Sequence, residues 1–506
     1  MLYLSIMGNM NIKFGTSGWR AVIADDFNAN TVRRVAHAAA EHVKQHPDYG
    51  IKGEEYLVNL QNKGLRPPSN PHLTITYDTR YMSEDFARTA AEAITADNIT
   101  VSISKEEAPV GALAWQVAKT NSLGGLMIAA GNSPSYISGV KWLPFWGGPA
   151  LDEIAADLES RISSLTIAKT DKRTDYAEGV ETGLIKEEDF FTDYRKQIES
   201  LIDIETVRKA KLKVASDPLY GAGRKYLRPL LETAGAQVIS LHEERDVLFG
   251  GQEPGTGIAN LAELKDVVIK NRLDLGLACN CDGDRFGILD SEGKWISPNV
   301  ILGLILEHLV KNKGMTGKAA RSVMTSHFMD AVAKNYGVEV RQTKVGFKHI
   351  GNLMRSGLYL LGGEESSGLT IKNHTAERDG ILTCLLIAEL VAYNKKPLKK
   401  IIEEAEKKYG KFITTRSFLP LPGFMQMETL IEKLQNYPPL SLADKSVWRI
   451  DNTDGFKFIM KDGSWLGLRP SGTNAEPVMR LYTEAKTPEF SRKLNEAGKK
   501  IVNGKF

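Results

Sequence analysis

The sequence predicts an α/β protein, with layers of largely parallel sheet and helix over about the first 400 residues and a smaller α+β unit after them. Three observations predict it. Short apolar runs alternate with stretches of helical periodicity. Polar residues follow each apolar run at its carboxyl end, where open α/β sheets bind ligands. The end of the chain then changes to a hairpin pattern, FKFIM, KDG, SWLGLR, before the strand VMRLYTEA and the helix FSRKLNEAGKKIV. At 506 residues the chain is too long for one core, and a usual domain size of about 100 to 200 residues predicts three or four domains.

In chain order, KGLRPPSNPH (63 to 72) reads as a surface insertion in the first unit. LTITYD (73 to 78) reads as a strand, followed by the helix SEDFARTAAEAITA with Ser83 as its N-cap. LKVASDPLYGAG (212 to 223) is a strand that leads through a glycine turn into RKYLRPLLETAG, and AQVISL follows. LDLGLACNCDGDRFGILD (273 to 290) is apolar, then acidic, then apolar again. Composition shifts set boundaries near 165 to 190, near 292 and near 405 to 412, where KKIIEEAEKKYG closes a long helix.

Charge and cysteine content narrow the function classes. Sixty-five basic residues against 62 acidic ones leave a formal charge of +3, which gives no reason to expect nucleic acid or a membrane surface, so any basic site must be local. Only Cys279, Cys281 and Cys384 are present, far from a disulfide framework, and the expected compartment is the cytoplasm. The start, MLYLSIMGNMNIKF, has no basic n-region and no small-residue cleavage site, so it is not read as a signal peptide. No apolar run is long enough to span a bilayer, and the chain shows neither a short-period repeat nor a low-complexity tract.

Several loops carry chemistry. NCDGDR places Asn280, Asp282 and Asp284 at alternate positions after an apolar strand, where their oxygens can converge on a hard cation such as Mg²⁺ or form a solvated acidic turn; Arg285 beside them can hold a phosphate oxygen. Cys279 and Cys281 form a C-x-C without a second pair, more consistent with packing than with a thiolate site. RPSGTNAEP (469 to 477) is either a plain turn or a phosphate nest, with a bidentate guanidinium on Arg469, hydroxyls on Ser471 and Thr473, and Gly472 to turn backbone N–H groups inward. GGEESSG (362 to 368) is a charged surface loop or a grip for vicinal sugar hydroxyls. FGTSGWR (14 to 20) has the same two readings, turn or phosphate contact.

In this order, FGTSGWR, a glycine-rich loop ending in GVK, DGDR, GEESSG and RPSGT resemble the motif set of the α-D-phosphohexomutase family, which includes phosphoglucomutase, phosphomannomutase and phosphoglucosamine mutase. The resemblance runs from about Ile12 to Ala485, with lesser matches at TYDTR, DPLYGAG, KVGFK and HTAERDG. It implies three related α/β domains, at 11–175, 185–292 and 293–408, and an α+β phosphate-binding domain at 410–506, arranged around a central cleft. It also implies an isomerase of carbohydrate metabolism that moves phosphate between C1 and C6 of a hexose phosphate, with Mg²⁺ and a hexose 1,6-bisphosphate activator, working as a monomer or homodimer. By resemblance, Arg20, Lys141 and Arg285 stabilise the transferring group. Glu364 and Ser366 hold sugar hydroxyls; Lys348, His374 and Arg378 line the cleft; Arg469, Ser471, Gly472 and Thr473 hold the non-reacting phosphate; and Asn280, Asp282 and Asp284 hold the metal.

Four of these motifs depart from the family pattern. The family nucleophile loop reads T-A-S-H-N-P and then N-G-x-K; without gaps, Pro134, Gly139 and Lys141 fall on their counterparts and Gly131 falls on the serine. Glycine has no side chain to phosphorylate. Ser133 is the nearest substitute nucleophile, but two residues displace its Cα by up to roughly 7 Å. Asn280 replaces the first aspartate of the metal loop, so affinity for Mg²⁺ should fall. Arg378 stands where many relatives have lysine and cannot serve as a general base. RPSGTNAEP is two residues longer than the common form, which changes the setting of Glu476 and Pro477. The sequence thus admits an atypical mutase, an inactive phosphosugar-binding or regulatory protein, and a different phosphosugar phosphotransferase or phosphatase.

Overall fold

The computed structural model describes residues 12–15, 18–45, 71–472 and 477–504. Of the expected surface insertion at 63–72, residues 63–70 lie outside them, as does the amino-terminal segment through residue 11, and His72 already belongs to a strand. Four sheets carry the chain. The first consists of β1 (Trp19–Val22), β2 (His72–Tyr77), β3 (Thr100–Ser104), β4 (Gly124–Ile128), β5 (Ile137–Pro144) and β6 (Ile185–Glu188), in the order β1-β5-β4-β2-β3-β6. Its β4-β2-β3-β6 half is parallel. HLTITY of β2 is buried on both faces, as expected of a central parallel strand covered by helices. The β1-β5-β4 half is antiparallel and sets Arg20 opposite Gly139.

Two expectations are corrected in this domain. The strand at 185–188, assigned to the second domain, belongs to the first sheet, where Ile185 pairs with Val101 and is buried in the first core. Ser83 is not an N-cap. The helix begins at Ser83 after Met82, and the Ser83 hydroxyl instead donates to Asp78 at 2.7 Å.

The second sheet is β7 (Lys213–Asp217), β8 (Gln237–Ser240), β9 (Leu275–Cys279) and β10 (Phe286–Leu289); the third is β11 (Lys318–Ser322), β12 (Val340–Thr343), β13 (Tyr359–Glu364) and β14 (Gly368–Ile371). Each has three parallel strands and one antiparallel edge, β10 or β14. The helix Gly380–Asn394 explains how these units are joined. GILTCLLIAELVAYN is apolar almost all round, so it is buried rather than lying on a surface: every residue from Gly380 to Ala392 is buried. It packs on β9, β10 and β14 and belongs to one core that runs through the first three units. Its one acidic residue, Glu389, accepts from His308 at 3.0 Å and from the Asp203 N–H at 2.6 Å, so the buried charge is paired.

The last unit is antiparallel throughout: β15 (Ile413–Pro420), β16 (Ser441–Leu442), β17 (Lys445–Asp451), β18 (Phe456–Met460), β19 (Trp465–Gly472) and β20 (Pro477–Ala485), in the order β15-β20-β19-β18-β17-β16. The expected hairpin is β18-β19, with Phe456 opposite Leu468. Among the described residues no helix is long and apolar enough to cross a membrane. The loops after β4, β9 and β13, with strands β15, β19 and β20, bring residues of all four units to one cavity of about 700 Å³.

Candidate active site

The loop after β4 is held by one side chain. Arg80 is fully buried, and its guanidinium donates to the carbonyls of Gly131 (2.8 Å), Ser133 (2.7 Å), Pro134 (2.6 Å) and Ile137 (2.9 Å), while Nε donates to Asp78 at 3.1 Å. All five guanidinium N–H groups are thereby used, and the backbone from 131 to 137 is locked in one conformation. Gly139 is required by close approach: a Cβ there would lie 2.4 Å from the Trp19 carbonyl and 2.8 Å from that of Ala129. Gly131 adopts φ +59°, and a Cβ built on it would point at Arg20 Nη2 (3.2 Å) and Asp282 Oδ2 (3.5 Å). A side chain at this position would therefore face a cation and the acidic loop.

In that loop, Lys141 of β5 is buried and sits on two carboxylates. Its ammonium donates to Asp282 and, at 3.1 Å, to Asp284. Asp284 also accepts from Arg378 at 2.7 Å and from the Asn280 amide at 3.0 Å, and lies 3.3 Å from Arg285 Nε. Burial alone would raise the Asp284 carboxyl, but Arg378, Lys141 and Arg285 outweigh it and hold Asp284 well below the usual carboxylate range. Burial would likewise lower Lys141, and Asp282 and Asp284 hold it above the ordinary lysine value. Burial raises Glu377, which touches Arg378, above the usual carboxylate range.

On the third unit, Glu364 ends β13 and accepts from the Gly346 N–H at 3.3 Å, with Arg378 and Arg285 at 3.7 and 3.8 Å. Ser366 accepts from Arg285. On the fourth, Arg469 is aimed by Asp454 at 2.8 Å, and Arg469 and Ser471 line the cavity. Thr473 lies outside the described residues, as do Glu476 and the Thr16 and Ser17 of FGTSGWR.

The structure brings Arg20, Gly131, Asn280, Asp284, Arg285, Glu364, Ser366, Arg378, Arg469 and Ser471 to one cavity wall, with Lys141 and Asp282 directly behind. Two of the expected residues, Ser133 and His374, are absent from that wall. The Ser133 carbonyl accepts from Arg80 at 2.7 Å. His374 is not a cleft residue: its ring is fully buried and bonds Asp379 at 2.9 Å, the carboxylate that caps the helix Gly380–Asn394. Lys348 pairs with Asp152 and lines a smaller adjoining pocket with Lys141 and Arg378. Cys279 and Cys281 are packing residues, their thiols pushed well up by burial.

Sequence reading missed Arg416 of β15 and Arg480 of β20, which line the cavity beside Arg469. Each sits in a strand where an isolated arginine has no motif, although the register sets Arg480 directly opposite Arg469. Adjacent like charges on neighbouring strands are unfavourable unless an anion lies between them. Among the described residues neither Arg416 nor Arg480 pairs with a carboxylate, and the buried Arg480 Nε and Tyr482 hydroxyl have no hydrogen-bond partner.

The donor set does not fit the expected Mg²⁺. A near-octahedral cation needs several oxygens free to turn inward. The Asn280 amide oxygen accepts from the Arg285 N–H at 2.9 Å, which leaves its nitrogen facing Asp284 and Asn132 Oδ1 (2.7 Å); the flipped amide would set donor against donor and oxygen against carboxylate. Asp282 and Asp284 already carry cations, and of the side-chain oxygens of Asn280, Asp282 and Asp284, Asp282 Oδ1 alone has no hydrogen-bond partner among the described residues. No group of three or more His, Cys, Asp or Glu among the described residues forms a metal cluster.

Comparison with known proteins agrees with this arrangement. Four family descriptions match in order: "Phosphoglucomutase/phosphomannomutase, alpha/beta/alpha domain I" over residues 11–168, domain II over 192–293, domain III over 297–409, and the C-terminal domain over 392–497. A phosphoglucomutase/phosphomannomutase of Thermococcus kodakarensis is 29% identical over 457 residues, covering 90% of this chain and 94% of that one. A probable phosphoglucosamine mutase of Methanothermobacter thermautotrophicus is 30% identical over 392 residues, covering 77% and 80%. The crystal structure of a putative phosphomannomutase from Thermus thermophilus superposes with a TM-score of 0.79 at 26% identity, covering 98% and 99%. With its four units, its order of loops and its shared cleft, the chain belongs to the phosphoglucomutase/phosphomannomutase family, the α-D-phosphohexomutases.

Proposed function

We propose that this chain binds hexose phosphates in the cavity shared by its four units and does not store the phosphoryl group on its own loop. One observation carries the reading: Gly131, whose missing side chain would point at Arg20 and Asp282, occupies the cavity-facing position in the loop where a serine would serve, while Ser133 lies outside the cavity wall. Arg469 and Ser471, joined by Arg416 and Arg480, suit the non-reacting phosphate. Glu364 and Ser366 suit sugar hydroxyls. Arg20, Arg378 and Arg285 suit the second phosphoryl group, as charge-assisted donors around a dianion do.

The size of the cavity, about 700 Å³, favours one further reading: transfer between C1 and C6 through a bound hexose 1,6-bisphosphate, which gives its phosphoryl group directly to a hydroxyl of a second sugar phosphate. The P–O bond to the bisphosphate breaks as the bond to the acceptor oxygen forms, and no phosphoprotein appears.

The test is intact mass after incubation with glucose 1,6-bisphosphate, followed by the conversion of glucose 1-phosphate to glucose 6-phosphate. Binding of either ligand without a phosphoprotein supports the proposal, and turnover that needs added bisphosphate and survives Ser133→Ala selects direct transfer. A phosphorylated Ser133, with turnover lost in Ser133→Ala, would overturn it.

A further inference from the structure

We infer that the ammonium of Lys141, together with the side-chain amide of Asn280, takes the place of a divalent cation in this cleft, so that phosphosugar binding here is independent of metal. The inference rests on the reading of the cavity as a phosphosugar site and adds what balances its charge.

The argument is one of charge and donor direction. A metal loop works by turning carboxylate oxygens toward a shared point, where the cation then faces a phosphoryl oxygen. In this chain that point is already positive. Lys141 Nζ bonds both Asp282 and Asp284 and is buried with them. Asn280 supplies an N–H to Asp284 at 3.0 Å where a carboxylate would supply an oxygen, and its own oxygen is committed to the Arg285 N–H. Arg378 adds a second cationic contact to Asp284 at 2.7 Å. A divalent ion entering the site would have to displace a buried ammonium from two carboxylates and would gain a single uncommitted oxygen, Asp282 Oδ1.

Two departures of the sequence from its family, Gly131 and Asn280, then have one explanation. Without a phosphoserine at Gly131 the site holds one dianion fewer, and with asparagine at 280 it holds one carboxylate fewer. A site that has lost negative charge in two places is balanced by a fixed monovalent ammonium and two guanidinium groups in place of an added divalent ion. The price of this arrangement is adjustability, because a side-chain cation cannot leave.

The experiment has two arms on the full chain. In the first, calorimetric titration with glucose 1,6-bisphosphate is run in EDTA and again in excess Mg²⁺; affinities within about twofold of each other are expected, and tightening by about tenfold or more with Mg²⁺ overturns the inference. In the second, which needs no sugar, melting temperature is followed against Mg²⁺ and Mn²⁺. The parent chain should not respond, whereas Asn280→Asp, which restores a third carboxylate, should be stabilised by either ion. A parent chain stabilised as strongly as Asn280→Asp, or an Asn280→Asp chain that ignores both ions, overturns it. Absence of sugar binding in both buffers removes the proposed function, and the second arm still decides the metal question.

Discussion

The guanidinium of Arg80 donates to the carbonyl of Gly131 at 2.8 Å, across 51 residues of sequence, and the same side chain holds three further carbonyls of that loop. The residue that shapes the candidate site thus sits beneath it, stacked at 5.0 Å on the ring of Phe249. Arg80→Lys keeps the charge but cannot reach this fan of acceptors. With each buried unsatisfied carbonyl costing about 1–3 kcal/mol, the variant should lose about 3 kcal/mol or more in chemical denaturation and lose glucose 1,6-bisphosphate binding with it.

Gly131→Ser tests the missing nucleophile directly. The left-handed backbone there costs a non-glycine residue about 1–2 kcal/mol, and the new Cβ meets the far end of Arg20, a side chain exposed to the cleft and able to shift. A melting temperature a few degrees lower is expected, with the fold retained. Incubation with glucose 1,6-bisphosphate should then add one phosphoryl group by intact mass, and the parent chain should acquire none.

Arg416 and Arg480 should matter to ligand and not to fold. Replacing either with alanine removes a cation from the Arg469 end of the cavity, where a charge-assisted contact is worth about 1.5–3 kcal/mol, so affinity for glucose 6-phosphate should fall by about tenfold or more. Binding should also become less sensitive to salt, and unfolding should stay close to that of the parent for the exposed Arg416.

Lys457 predicts a pH dependence of stability. It is buried between the third and fourth units, donates to the Val323 carbonyl at 2.7 Å and stands over the Trp465 ring at 4.0 Å. Burial, reinforced by Arg321 and opposed by Glu484, lowers its pKa to about 7. Between about 7 and the unfolded value of about 10.4, the unfolded chain binds a proton that the folded chain does not, so this group's contribution to stability rises with pH across that window. Lys457→Met has no such proton. Its stability relative to the parent should be most favourable near pH 7 and decline steadily toward pH 10 in urea titrations.

Much of the site was legible because its chemistry lies in short, contiguous loops. The expectation that Asn280, Asp284, Arg285, Glu364, Ser366, Arg378, Arg469 and Ser471 share one cleft rests on motifs a few residues long, each at the carboxyl end of a strand, and the structure lines one cavity with all of them. Arg416 and Arg480 were not legible, because each becomes a site residue only through the pairing of β15 and β19 with β20. His374 and Ser133 lie next to site residues in sequence but do not line the cavity: the His374 ring bonds Asp379, and the Ser133 carbonyl accepts from Arg80.

By itself the sequence determined the α/β class, since apolar periodicity is a local property of the chain, while its resemblance to the phosphohexomutases gave the four-part order and set Gly131 at the position of the family serine. Tertiary structure alone decided what fills the gap. Whether Asn280 offers an oxygen or an N–H, and whether Lys141 faces the ligand or the carboxylates, depends on the Arg285 N–H, on Asp284 and on Asp282, groups brought together only when β5 and the loop after β9 meet across two units. Hydrogen-bond direction and charge pairing are set by neighbours in space, and those neighbours lie up to 148 residues apart in sequence.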